Sequence, residues 1–175
     1  MITNIIVISG SMGCGKTTVL GEASDVLTAH QIAHASVDLD AIGTALLPGD
    51  LSREVTHRIV ASMFATFARA GLTRVLIAEA VENREELNRL RRVAPGSEVL
   101  VCRLRAAIDT MRERLRVREP GMLQAQFLAR ASELEQILDE ANVEDFTIVN
   151  DQRSVTDVAR ELLERAGWIP PSPDP

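Results

Sequence analysis

Apolar residues return along this chain in two alternating rhythms. Short, largely apolar runs (Ile5 to Ile8, Ala33 to Val37, Arg74 to Ala80, Val99 to Leu104 and Phe146 to Val149) alternate with longer stretches of three-to-four spacing. Unbroken runs suit strands covered on both faces, and the wider spacing marks one face of a helix. The helical stretches are Thr18 to His30, a segment opened by Asp50 (Leu51, Val55, Ile59, Met63, Phe64, Phe67), Asn83 to Val93, Ala106 to Arg118, Leu123 to Ala141 and a last one opened by Ser154. Asn83-x-x-Glu86 and Ser154-x-x-Asp157 are capping signals, while Gly71, Pro95-Gly96, Pro120-Gly121 and Gly167 are stops. Gly43 to Gly49 reads as an irregular connection with a Pro48-Gly49 turn. The alternation predicts one α/β domain over residues 1–169 with five parallel strands between helical layers, then a disordered tail at 170–175.

The junction of the first strand and first helix carries the chemistry. Gly10-Ser11-Met12-Gly13-Cys14-Gly15-Lys16-Thr17-Thr18 follows the apolar run directly and opens the helix. This is the P-loop spacing in the strand–loop–helix setting that gives it meaning. Backbone N–H groups must curl around phosphate oxygens, and the glycines permit both the conformations and the close approach. The helix N-terminus adds unpaired N–H groups and a favourable dipole. Lys16 is expected to reach the β- and γ-phosphates and Thr17 to ligate Mg²⁺.

Composition sharpens the motif. Of 19 basic residues in the chain, Lys16 is the single lysine and all the rest are arginine. Lysine is thus kept where a compact ammonium is wanted. A net charge of −6, 3% aromatic residues and no tyrosine argue against a nucleic-acid partner. No apolar run approaches the ~20 residues that span a bilayer, and no signal peptide precedes the first strand. Cys14 and Cys102 match no metal or redox spacing, nor do His30, His34 and His57, so a reducing, cytoplasmic setting is expected.

With Gly10 to Thr17, Asp38 and Arg114-Leu-Arg-Val-Arg118 in view, the sequence resembles the P-loop small-molecule kinases. These include nucleoside monophosphate, shikimate, gluconate and adenylyl-sulfate kinases and chloramphenicol phosphotransferase. The resemblance covers nearly the whole chain. It implies the strand order 2-3-1-4-5, an ATP and Mg²⁺ site, an acceptor region after the second strand and an arginine-bearing lid at about 112–127. On an α-helix, Ile108, Met111 and Leu115 form one stripe, with Arg112 and Arg116 on one flank and Arg114 and Arg118 on the other. By resemblance Arg114 packs on adenine and Arg118 stabilises the transferring phosphate, with Arg116 as its competitor. The segment Asn150 to Arg153 lies where these kinases wrap adenine, which brings Arg153 into the nucleotide site. An Asp after the second strand looks like their general base, here Asp38 in preference to Asp40. Glu79, ending the third strand, departs from the usual Asp of the Mg²⁺-associated pattern but occupies its place, with Glu82 nearby.

The expected function is an ATP- and Mg²⁺-dependent kinase transferring the γ-phosphoryl group to a small-molecule acceptor, at a hydroxyl, in a monomer or homodimer. The alternative is a regulatory P-loop protein that binds or hydrolyses ATP and has no acceptor. The carboxylate after strand two and the lid arginines favour the kinase. Nothing in Gly43 to Phe67, the acceptor-side segment, names the acceptor.

Overall fold

The computed structural model describes residues 1–42 and 51–172, with the side chains of residues 51–54 and 57 left aside. The expected turn at Pro48-Gly49, the Asp50 cap and the Leu51 and His57 side chains lie outside the described residues.

Five strands form one all-parallel sheet in the order β2-β3-β1-β4-β5. They are β1 (Asn4–Ser9), β2 (Ala35–Asp38), β3 (Arg74–Ala78), β4 (Glu98–Arg105) and β5 (Phe146–Val149). The central strand is β1, paired with β3 (Val7 opposite Ile77) and with β4 (Val7 opposite Val101). Its residues Ile5 to Ile8 are all but inaccessible to solvent because both faces are covered. Burial of each such side chain contributes about 2 kcal/mol, so the unbroken apolar run belongs at the centre.

Seven helices flank the sheet among the described residues: α1 (Lys16–Ala29), α2 (Leu39–Ile42), α3 (Leu51–Arg69), α4 (Arg84–Val93), α5 (Ile108–Arg118), α6 (Gln124–Ala141) and α7 (Val155–Arg165). On one face α1 and α7 pack Leu27 and Leu162 over Ile6, Ile8, Cys102 and Leu104. On the other, α3 and α4 set Phe64 and Leu90 over Ile5, Val7, Val75 and Ile77. Alternate residues of one strand thus feed two separate cores. No described helix is long and apolar enough to cross a membrane.

The caps follow the expected chemistry, with one displacement. Ser154 Oγ accepts from the Asp157 N–H, and Asn83 Oδ1 accepts from the Glu86 N–H at 3.0 Å. Glu86 Oε2, however, takes the N–H of Glu82 at 2.7 Å, one residue outside the usual box. That reach turns Glu86 toward the sheet edge. The short helix α2 is a structural addition: Asp38 Oδ1 accepts from the Ala41 N–H at 3.2 Å and starts it directly from the strand end. At the far end Ser172 hydrogen-bonds Glu164 through both its N–H and its hydroxyl.

Candidate active site

The P-loop leaves the carboxyl end of β1, where open parallel sheets bind ligands. Gly13 adopts φ +81°, and a Cβ there would stand 2.6 Å from the Met111 carbonyl oxygen of α5. Gly15, at φ +106°, forms the N-cap of α1, and a Cβ would meet Asn150 Nδ2 at 2.5 Å. Only glycine meets both demands, a left-handed backbone and a packed neighbour. Because Gly15 offers no side-chain cap, the first N–H groups of α1 are left for an anion.

Residues from three other parts of the chain hold this loop. Ser11 Oγ, fully buried, donates to the Ala131 carbonyl of α6 at 2.6 Å. Asn150, after β5, donates from Nδ2 to the Cys14 carbonyl at 2.8 Å. The Arg114 guanidinium donates to the carbonyls of Gly13 and Cys14, both at 3.3 Å, and to that of Asn150 at 3.2 Å. The sulfur of Cys14 is buried in the core beneath, and that burial pushes its thiol pKa up against the opposing charge of Lys16. It is packing, not a reactive thiolate.

Lys16 is 8% exposed; its ammonium donates to the Gly10 carbonyl at 3.1 Å and pairs with Asp40 at 2.9 Å. The Thr17 hydroxyl donates to Asp38 Oδ2 at 2.6 Å, and Asp38 Oδ1 takes the Ala41 N–H. Both oxygens of Asp38 are therefore engaged, one of them by Thr17. The two acids of Asp38-Leu39-Asp40 face different groups because Asp38 ends a strand and Asp40 lies in the helical turn after it.

Beside them opens a cavity of about 280 Å³ between β3, α2, α3 and α4. Asp40, Glu79, Glu82, Glu86 and Arg89 supply its polar lining. Leu39, Val60, Leu90 and Val93 supply apolar wall. Burial, then Asp40 and Glu86, raise the pKa of Glu79 to about 7, opposed by Arg89. Arg89 lies 3.6 Å from Glu86, and Arg130 of α6 holds Glu82 at 2.6 Å.

The remaining site candidates sit at the rim. Met12 and Thr18 lie on the loop tip and in the first turn of α1. On α5 the two flanks divide as the helical spacing requires: Arg112 turns to Ser132 of α6, Arg114 to the loop. Arg118 pairs with Glu119 and Arg116 with Glu113, both in solvent. Arg153 holds Glu161 of α7 at 2.6 Å and reaches the Val149 carbonyl. His34 hydrogen-bonds Ser24 and the Ile32 carbonyl, a structural role. Sequence reading placed Ser11 in the loop and Asn150 in the adenine-side segment but not their bracing roles, and it missed Arg89 and Arg130 altogether. The partners of Ser11, Asn150 and Arg130 lie far off in sequence, and Arg89, three residues from Glu86, looks like any exposed helical ion pair.

A metal finds a small donor set here. Among the described residues no three His, Cys, Asp or Glu side chains converge on one point. Thr17 and Asp38 nonetheless offer hard oxygens beside the cradle, and these suit Mg²⁺, which takes few protein ligands and completes its shell with phosphate oxygens and water.

No protein-family model matches this sequence, and no curated protein matches it. Solved structures do. A gluconokinase from Sinorhizobium meliloti 1021 superposes with a TM-score of 0.65 at 17% identity, over 94% of this chain and 91% of its own. Shikimate kinase from Acinetobacter baumannii, solved with shikimate, gives 0.64 at 20% identity over 94% and 93%. The APS kinase of Mycobacterium tuberculosis, solved with AMPPNP and APS, gives 0.64 at 19% over 93% and 96%. The fold of this chain, from β1 to α7, is that of the P-loop small-molecule kinases.

Proposed function

We propose that this protein is an ATP- and Mg²⁺-dependent phosphotransferase acting on a hydroxyl of a small molecule. The observation that carries the reading is Asp40, which pairs with Lys16 at 2.9 Å on one side and lines the cavity on the other. A phosphate cradle and an acceptor cavity thus share one ion pair. The likeness in fold to gluconate, shikimate and APS kinases supports the same reading.

In the reaction, the acceptor oxygen bonds to Pγ while the bond from Pγ to the β–γ bridging oxygen breaks, and ADP leaves. The acceptor's proton passes to a carboxylate. Asp38 was the first expectation for that role; its engagement with Thr17 and the Ala41 N–H favours Asp40 instead. Asp38 then orients Thr17, and the two would hold Mg²⁺, which would supply positive charge against the phosphate oxygens. Lys16 turns from Asp40 to the β- and γ-phosphates as nucleotide enters, and the exchange frees Asp40 to act as base. The resemblance gives Arg114 and Arg153 to the base of the nucleotide; Arg114, bound to the loop carbonyls of Gly13 and Cys14, is the nearer of the two to the cradle. Arg118, one turn beyond Arg114 on the same flank, is the arginine for the transferring phosphate.

Asp40→Asn is expected to cut acceptor-dependent turnover by roughly 10²–10⁴ while ATP affinity stays within a few-fold. Asp38→Asn should act differently, raising the Mg²⁺ requirement and weakening ATP·Mg²⁺ binding. ADP release with and without acceptor, titrated against Mg²⁺, separates the two variants. Full acceptor-dependent turnover in Asp40→Asn would return the base to Asp38. ATP turnover that no acceptor stimulates would favour a regulatory ATPase.

A further inference from the structure

The cavity beside the cradle is unusual for its charge. Four carboxylates, Asp40, Glu79, Glu82 and Glu86, face one basic side chain, Arg89, among its described lining residues. Two of the four have guanidinium partners: Arg89 lies 3.6 Å from Glu86, and Arg130 holds Glu82 at 2.6 Å from outside the lining. The other two do not. Among the described residues Asp40 pairs with Lys16 alone, the residue that a bound triphosphate would claim. The Glu79 side chain has no hydrogen-bond or ion-pair partner among the described residues, although it is half-buried just after β3 and lines the cavity.

An acceptor bearing a carboxylate, sulfate or phosphate would meet like charge on two sides there, with both nearby arginines already engaged. Like-charge placement in such a site is strongly disfavoured. A nucleoside lacks a stacking surface, since no aromatic side chain is in the described lining. The volume of about 280 Å³ is at the lower end for small-molecule sites and suits a molecule of one ring. Val60 and Leu90 offer its C–H face an apolar wall.

We propose that the acceptor is a small amino alcohol of the amino-sugar type, its ammonium held by Glu79 and the hydroxyl to be phosphorylated directed at Asp40. This rests on the kinase reading above and adds the charge class of its substrate. The ammonium stays protonated and is not the nucleophile; its role is to supply the cation that Glu79 lacks. Neutral sugars of the same shape bind less well because they leave that carboxylate desolvated and unpaired.

The test uses the full chain with ATP·Mg²⁺ and three matched arms of six-carbon acceptors: amino sugars such as 2-amino-2-deoxyglucose, the parent sugars, and the corresponding sugar acids. Acceptor-dependent ADP release is expected to be best in the amino arm, and the sugar acids should be inert. Glu79→Gln should raise KM for the amino acceptor by about 10- to 100-fold, the worth of one hydrogen bond to a charged group, and lower KM for the parent sugar, which no longer strands a carboxylate. A merely structural Glu79 would shift both alike. Best turnover in the neutral or acidic arm, or equal KM shifts in Glu79→Gln, overturns the amino-acceptor assignment and leaves the kinase standing. No acceptor-dependent release in any arm tells against the kinase reading itself, and the assignment falls with it.

Discussion

Lys16 is one ammonium in a chain that otherwise spends only guanidinium groups, and its surroundings give the reason. It is nearly buried between the Gly10 carbonyl and Asp40, in a space a compact head fills and a planar fork does not. Lys16→Arg is therefore expected to lower kcat by about 10²-fold or more despite the retained charge, as read by ADP release at saturating ATP. Glu79 gives a pH signature in the nucleotide-free protein. Burial lifts its folded-state pKa to about 7, from an ordinary carboxylate value of 4.5 when unfolded. The unfolded chain thus releases that proton first, and stability falls as pH rises from 4.5 through 7, having been undiminished below. Glu79→Gln removes the loss, so its melting temperature should gain on the parent protein between pH 5 and pH 8 by an amount worth on the order of 1–3 kcal/mol. An offset that does not change with pH would mean that Glu79 ionises normally.

At the scale of elements, α5 and α6 form the wall that steadies the P-loop. Helix α5 supplies Arg114 to three carbonyls, and α6 supplies the Ala131 carbonyl to Ser11. What pins α6 is Arg103, 2% exposed on β4, which reaches Glu135 and Asp139 at 2.8 Å and Glu144 at 3.5 Å. An arginine inside a parallel strand is tolerated only with such company. Removing it strands carboxylates, so Arg103→Met should destabilise the protein by about 3 kcal/mol, or about 6–12 °C in melting temperature. The neighbouring Arg105, 43% exposed and paired to the same acids, is the control; Arg105→Met should cost about 1 kcal/mol or less. Equal losses would mean that α6 is held by its apolar stripe alone.

For the whole molecule, the cradle joins parts that are remote in sequence: the loop after β1, Asp38 and Asp40 after β2, Arg114 on α5 and Asn150 after β5. A ligand seated there ties the sheet edge to both helical layers and stabilises the fold by mass action. ATP·Mg²⁺ at a hundred times its dissociation constant should add about 2.7 kcal/mol, a rise of roughly 5–10 °C in melting temperature. Lys16→Ala should melt within a few degrees of the parent when free and show almost none of that rise. A full nucleotide shift in Lys16→Ala would remove the cradle from its assigned role.

Sequence alone determined the parts governed by short-range physics. The unbroken run at Ile5 to Ile8 read as a doubly covered strand because no polar position interrupts it, and it is the central strand. Asn83 and Ser154 read as caps because their side chains bond backbone three residues on, and they do. The glycine-dependent turn from Gly10 into α1 was legible because its backbone requirements lie within eight residues, and Gly10, Gly13 and Gly15 do adopt positive φ. The two flanks of α5 followed from helical geometry, but that Arg114 would brace the loop carbonyls while Arg112 turns to Ser132 did not. Tertiary structure decided what depends on partners at long separation. The preference for Asp38 over Asp40 came from resemblance alone; only the placement of α1 sets Thr17 against one and Lys16 against the other. Cys14 sits at a helix N-terminus, which in isolation would activate a thiol, and the core around it does the opposite. The cavity proposed for the acceptor collects β3, α2, α3 and α4 around Glu79, and its charge emerges only when those elements meet. A side chain's local preference is written in its neighbours along the chain; its pKa, its partner and the ligand it faces are written in the neighbours that folding brings.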